Sequence, residues 1–189
     1  IVRAFGDGSS IGIRLEYAWQ DGHAGTGSAV LAAADLVGEE PFLLTWGDVL
    51  MDPDNYRRLL ETYSAEPCDL LSGLNWLDDT SSGASVTVRG DRMVSIIEKP
   101  PAGDAPSNWN QGGLFVCTGA VLDAMRACEL SPRGEIEFTS GVQLLLTAGR
   151  DVRWMPIRGL WSDVGTPELL AKLNASPEVA DLLRRISIV

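Results

Sequence analysis

PFLLTWGDVL, residues 41–50, is the stretch whose reading fixes the class of fold. After Pro41 the run Phe42 to Thr45 is apolar and too short for a helix, which predicts a strand buried on both faces, closed by Gly47 and Asp48. Ahead of it, Ser28 to Leu36 is Ala-rich and reads as a helix, with Ser28 as its cap and Gly38 just past its end. Behind it a second helix is predicted from about Asp54 to Tyr63, because Asp52 and Asp54 suit a first turn and Leu59 and Leu60 supply an inward face. Helix, buried strand, helix is the pattern of an α/β domain with a largely parallel sheet. A carboxylate at the carboxyl end of such a strand stands where ligands of open sheets bind, so Asp48 is a candidate magnesium ligand. The competing reading is a loop aspartate that caps the helix near Asp54.

Outward from this centre, Ile11, Ile13, Leu15, Tyr17 and Trp19 alternate with smaller or polar residues, which predicts a strand after a turn-rich Phe5 to Ser10. Strands are also expected at Asp69–Leu74, Ser85–Arg89, Met93–Ile97, Leu114–Cys117 and Val152–Pro156. Gly90 and Asp91 join two of them as a tight antiparallel hairpin. Residues 100–111 hold Pro100, Pro101 and Pro106 and read as a loop. Helices are expected at Ala120–Ala127 and Thr139–Ala148, from Pro167 onward, and over Ser176–Arg185. No repeat or linker divides the chain, so residues 1–189 read as one domain.

The chain has 189 residues, of which 45% are hydrophobic, enough for a continuous core. Its net charge of −11 repels phosphate backbones and argues against nucleic-acid binding, while a nucleotide that brings its own magnesium stays compatible. Cys68, Cys117 and Cys128 form neither a disulfide framework nor a paired zinc site, which suits a reducing cytoplasm. Nothing in the sequence is apolar over a length that spans a bilayer, so no membrane partner is expected. The helical end, Ser176 to Arg185, either packs on a second copy in a homo-oligomer or covers the sheet.

Several segments could carry chemistry. Gly25, Thr26 and Gly27 precede a helix, and two glycines there let a ligand approach the amides at its positive end; an ordinary flexible cap explains them equally well. A dinucleotide fold fits less well, since Val30 stands at its third small position and Gln20 to Ala24 separate the glycines from a strand. Asp163 is either a turn aspartate in the segment closed by Gly165 and Pro167 or a second magnesium carboxylate. Glu98 and Lys99 end a strand; the pair is either an exposed ion pair or a carboxylate for sugar hydroxyls beside an ammonium for a phosphate. His23 is the sole histidine, so no triad or histidine zinc site is available, and a surface position is expected. Glu135 and Glu137 are spaced to flank the start of the Thr139 helix rather than to form a glycosidase pair.

In order, GTGSAV at Gly25–Val30, GDVL at Gly47–Leu50, IIEKP at Ile96–Pro100, NQGGLFV at Asn110–Val116 and WSDVGT at Trp161–Thr166 resemble the sugar-1-phosphate nucleotidylyltransferases over nearly the whole chain. RGEIEFTSGVQLL at Arg133–Leu145 is similar to the glucose-1-phosphate thymidylyl- and uridylyltransferase branches. The resemblance implies a three-layer, Rossmann-like α/β fold of the nucleotide-diphospho-sugar transferases with a mixed, mostly parallel sheet. It implies transfer of a nucleoside monophosphate from a nucleoside triphosphate to a sugar 1-phosphate, with magnesium held by Asp48 and Asp163. Gly25, Thr26, Gly27 and Gly47 are then expected along the nucleotide, Glu98 and Lys99 at the sugar and its phosphate, and Asn110 and Gly113 near the sugar. The family's first strand and basic, glycine-rich loop have no counterpart here, so weak or no turnover is expected from this chain alone. A non-catalytic nucleotide-sugar-binding subunit of the same fold is the alternative. Trp46 departs from the smaller or polar residue of the family pattern and bears on base or sugar fit.

Overall fold

The computed structural model describes residues 1–22 and 24–186, so the expectation for His23 lies outside the described residues. The chain opens with a helical turn, α1 (Val2–Phe5), then α2 (Thr26–Ala32) and α3 (Ala34–Val37), β1 (Phe42–Thr45), β2 (Val49–Met51) and α4 (Asp54–Ala65). It continues through β3 (Leu70–Trp76), the hairpin β4 (Ala84–Arg89) and β5 (Arg92–Glu98), β6 (Trp109–Cys117), α5 (Gly119–Arg126) and α6 (Phe138–Thr147). It ends with β7 (Val152–Pro156), β8 (Trp161–Asp163), α7 (Pro167–Asn174) and α8 (Pro177–Ile186).

Six strands form one mixed sheet in the order β1-β6-β3-β7-β5-β4. Tracing the pairings gives β1, β3, β4 and β7 one direction, with β5 and β6 against them. Most strands therefore share a direction, yet β3–β7 is the parallel neighbour pair, because β6 inserts between β1 and β3 and β5 between β7 and β4. Helices α2, α5 and α6 pack on one face over Leu70, Leu74, Val86, Phe115 and Phe138. Helix α4 covers the other through Leu59 against Leu71, Leu114, Val116 and Met155. Leu59 and Leu70 are fully buried, each stabilising the fold by about 1.5–3 kcal/mol.

Four expectations are corrected. The stretch Ile11–Trp19 is not a strand: alternation alone makes no ladder, and this segment meets no open strand edge, leaving Ile11, Ile13 and Trp19 exposed. It instead folds on itself, Leu15 N–H donating to the Asp7 carbonyl and the Tyr17 hydroxyl to the Gly6 carbonyl. Strand β1 is neither buried on both faces nor parallel to its neighbour; it is an edge strand antiparallel to β6, so Leu43 and Thr45 face out. Helix α2 starts at Thr26 with Gly25 at its cap, which puts Ser28 inside the helix, buried. Strand β6 begins at Trp109, inside the segment read as a loop, and Gly112 and Gly113 make a bulge opposite the Gly73/Leu74 step of β3. The elements α4, α5, α6 and β7 and the Pro167 start of α7 stand as read, the last capped by the Thr166 hydroxyl accepting from Leu169 N–H.

Candidate active site

Asp48 and Asp163 are 115 positions apart in sequence and meet through a feature the periodicity does not reveal. The three-residue strands β2 and β8 pair antiparallel, with Val49 opposite Asp163, and Val164 N–H donates to the Asp48 carbonyl at 2.7 Å. Both carboxylates are exposed and border one cavity of about 180 Å³, shared with Thr26, Trp46, Glu98, Asn110, Gln111, Thr139 and Trp161. Trp161 is held there by its indole N–H on the Gly112 carbonyl at 2.8 Å, so the bulge in β6 and the β2–β8 ribbon brace each other.

Glu98 closes β5 and is the acid whose surroundings do most to it. Burial pushes its carboxyl above the usual range and the Glu137 carboxylate adds to this; the neighbouring Thr139 hydroxyl, Lys99 and Arg133 pull the other way. Lys99, next along, has φ 42°, a left-handed conformation that an L side chain adopts at a cost, and its N–H is tied to the Gly83 carbonyl at 2.7 Å. The turn directs the chain away from the sheet directly after Glu98. Lys99 is exposed and is not among the residues that line the cavity.

Arg133 was not among the sequence candidates. It ion-pairs with Glu137 at 3.0 Å, Glu135 at 3.6 Å and Glu98 at 3.7 Å, the cation for three acids. The two glutamates do flank a helix start, Glu137 being the residue before α6, and their charge is balanced by Arg133. Its signal was available: an arginine two and four residues ahead of two glutamates. A second cavity of about 720 Å³, lined by Ile96, Leu130, Pro132, Arg133 and Leu144, shares Glu98 and Thr139 with the first.

The glycine-rich segment does not offer the free amides expected of it. Gly27 and Ser28 N–H both donate to the Ile136 carbonyl, at 2.9 and 3.3 Å, and Ile136 N–H returns a bond to Ala24. Gly25 has φ 108°, and a Cβ there would collide with the Ile136 carbonyl oxygen. These glycines are needed for close packing against Ile136, and Thr26 is the member of the trio that reaches the cavity. Gly47 is exposed with open space around it. Gly113 has φ 75°, and a Cβ on it would lie 2.5 Å from Trp46 Cδ1.

Asn110 borders the cavity, yet its polar atoms are already committed. Its Oδ1 accepts from Ala84 N–H at 3.2 Å, and its Nδ2 donates to Asn75 Oδ1 at 2.9 Å and to the Gln111 carbonyl at 3.0 Å. Its neighbour Gln111 carries a buried Nε2 without a partner, and Thr139 a buried hydroxyl that makes no bond of good geometry. Buried polar groups left open at a cavity wall are the sites a polar ligand would satisfy. Sequence pattern singled out Asn110, whose polar atoms are paired within the protein, while the adjacent Gln111 keeps an unpartnered Nε2 at the same cavity.

Among the described residues, no three or more of His, Cys, Asp and Glu gather as a metal cluster. Two carboxylates beside an open cavity nevertheless fit a hard divalent cation that fills its other positions with water and phosphate oxygens. The cysteines are free thiols, burial pushing Cys68 up to about 11 and Cys117 higher still, so neither is a thiolate nucleophile at neutral pH. No helix among the described residues is long and apolar enough to cross a membrane.

Comparison with known proteins agrees with this geometry. Residues 1–179 match the family described as nucleotidyl transferase. The chain is 31% identical over 174 residues to a glucose-1-phosphate thymidylyltransferase of Streptomyces griseus, covering 92% of this chain and 48% of that one. It is 30% identical over 160 residues to a UTP–glucose-1-phosphate uridylyltransferase of Haloferax volcanii, covering 83% of this chain and 64% of the relative. The crystal structure of a putative glucose-1-phosphate thymidylyltransferase from Bacillus anthracis, in complex with a sucrose, superposes with a TM-score of 0.80 at 25% identity, over 92% of this chain and 69% of that one. The chain thus spans about half the length of the Streptomyces relative it matches. With that match running from Ile1 through the Asp163 turn and α7, the chain belongs to the nucleotidyl transferase family.

Proposed function

We propose that this chain contributes the sugar-phosphate and metal side of a sugar-1-phosphate nucleotidylyltransferase. One observation carries the reading: Asp48, Asp163 and Glu98, from three distant parts of the sequence, converge on one cavity in a chain whose family transfers nucleotidyl groups. In the reaction, a phosphate oxygen of the sugar 1-phosphate bonds to the α-phosphorus of a nucleoside triphosphate while the bond from that phosphorus to the bridging oxygen breaks and pyrophosphate leaves. No covalent nucleophile is required of the protein; positioning and charge neutralisation supply the rate.

Asp48 and Asp163 would hold magnesium, and the ion when bound neutralises phosphate charge. Glu98 accepts sugar hydroxyls, a role suited to a partly buried carboxylate at the cavity. Lys99, exposed and next in the chain to Glu98, meets the sugar phosphate as a point charge. Gln111, whose buried Nε2 has no partner, and Thr139, whose hydroxyl lies beside Glu98, complete the polar wall. The nucleoside triphosphate and sugar 1-phosphate are the partners, and a cytoplasmic setting agrees with the free thiols.

The test is pyrophosphate release from each nucleoside triphosphate with glucose 1-phosphate and magnesium, by this chain and by a longer version with a glycine-rich loop ahead of Ile1. Asp48→Asn abolishes release wherever the unmodified protein shows it. Release by the variant at the unmodified rate contradicts the proposal.

A further inference from the structure

Trp46 is the residue at this cavity that neither the metal reading nor the sugar reading uses. It is half-buried, the step between β1 and the Gly47–Asp48 turn, and its backbone N–H is anchored on the Gly113 carbonyl at 3.0 Å. Its ring meets Phe115 edge-on at 5.3 Å and Phe138 at 5.4 Å, so both core aromatics fix its plane. Gly113, with φ 75° and no Cβ, makes the room in which that ring lies. Among the described contacts the indole N–H has no hydrogen-bond partner, although Trp46 lines the cavity together with the polar residues Glu98, Gln111 and Thr139.

The volume gives this wall a consequence. At about 180 Å³ the cavity is smaller than the roughly 300–1,000 Å³ of ordinary ligand pockets. A flat indole held by two aromatic neighbours and hydrogen-bonding groups lining the same cavity suit a bare pyranose ring, whose C–H face can lie on an aromatic surface while its hydroxyls turn to the acids and amide. A ring carrying an extra acylamino group has to displace an indole that two aromatic neighbours hold.

We infer that Trp46 is a specificity-determining residue that limits the sugar: the site accepts an unsubstituted hexose 1-phosphate and turns away an acylamino-substituted one. This rests on the proposed sugar-phosphate site. Shortening Trp46 opens the wall without touching Asp48, Asp163, Glu98 or Lys99, so selectivity changes while the polar anchoring of the ring stays.

The experiment is calorimetric titration of this chain, with magnesium present, using glucose 1-phosphate and N-acetylglucosamine 1-phosphate. Unmodified protein and Trp46→Leu are compared, with Trp46→Phe as the variant that keeps an aromatic edge for Phe115 and Phe138. The ratio of the two affinities falls by about tenfold or more in Trp46→Leu, the scale on which a few carbon atoms in a pocket discriminate substrates. It moves less in Trp46→Phe. An unchanged ratio in a Trp46→Leu protein with unmodified circular dichroism overturns the inference. If Trp46→Leu does not fold, Trp46→Phe decides through fluorescence: the change on binding glucose 1-phosphate drops by about half or more, the loss expected when one of the two cavity-lining indoles goes. An undiminished change in Trp46→Phe overturns the inference. If neither sugar phosphate binds the unmodified chain, the sugar site itself is removed, and the size limit with it.

Discussion

Replacing Asn110 with alanine separates a structural clamp from a substrate ligand, because the side chain is 3% exposed and its amide holds three elements together. The change strips the acceptor from Ala84 N–H on β4, the donor from Asn75 Oδ1 on β3 and the donor from the Gln111 carbonyl on β6. Each buried group left unpaired costs about 1–3 kcal/mol, and partial relaxation brings the sum to roughly 3–5 kcal/mol. Against a typical domain stability of about 5–15 kcal/mol this is a severe loss. Urea unfolding followed by circular dichroism measures it as a lower midpoint at unchanged slope, and the melting temperature falls by roughly 6–20 °C. Asn110→Asp is expected to lose as much or more, since it keeps the acceptor for Ala84 but sets a carboxylate oxygen against Asn75 Oδ1 and the Gln111 carbonyl. A loss under about 1 kcal/mol in Asn110→Ala, with glucose 1-phosphate binding abolished, refutes the clamp and returns Asn110 to the role of a sugar ligand.

Other outcomes follow from neighbouring geometry. Gly25→Ala destabilises by about 2 kcal/mol or more, through its φ of 108° and the collision with the Ile136 carbonyl, whereas Gly47→Ala, with open space around it, stays within about 0.5 kcal/mol; thermal melts of both check this. The Glu98 carboxyl is raised above its ordinary 4.5 in the folded state, so its contribution to stability is fully present below that value and is lost as pH rises through the folded one. Glu98→Gln therefore flattens the pH dependence of urea stability above 4.5, and an unaltered profile speaks against a buried, proton-holding Glu98. Arg133→Met leaves Glu137, 8% exposed, without its nearest cation and moves the Glu98 titration, followed by NMR, further up; a fixed titration contradicts the three-acid arrangement.

Much of the fold was legible because long elements bury regular stripes: α4 and α5 follow from their apolar spacing, and β3, β4, β5 and β7 from their β-branched and apolar runs. What escaped was set by tertiary pairing. The strands β2 and β8 are three residues each, too short for any period to register, and they exist because each is the other's partner. The Ile11–Trp19 segment shows the converse, a strand-like alternation with no neighbour to pair it. At the site, Asp48, Glu98 and Asp163 were identifiable from type and position, but not which amides and carboxamides remain free. Gly27 and Ser28 lose theirs to Ile136, and Asn110 spends its own on Ala84 and Asn75 while Gln111 beside it stays open. Such assignments depend on contacts between residues far apart in sequence.

The most direct measurement of the central claim is calorimetric titration of this chain with glucose 1-phosphate, with and without magnesium, beside Asp48→Asn and Asp163→Asn. Both aspartates are exposed, so the variants keep the melting temperature of the unmodified protein. The account predicts binding that magnesium strengthens in the unmodified chain and a loss of that strengthening in each variant. Equal affinity with and without magnesium, or an unchanged magnesium effect in both variants, contradicts the assignment of Asp48 and Asp163 to the metal and the reading of this cavity as a nucleotidyl-transfer site.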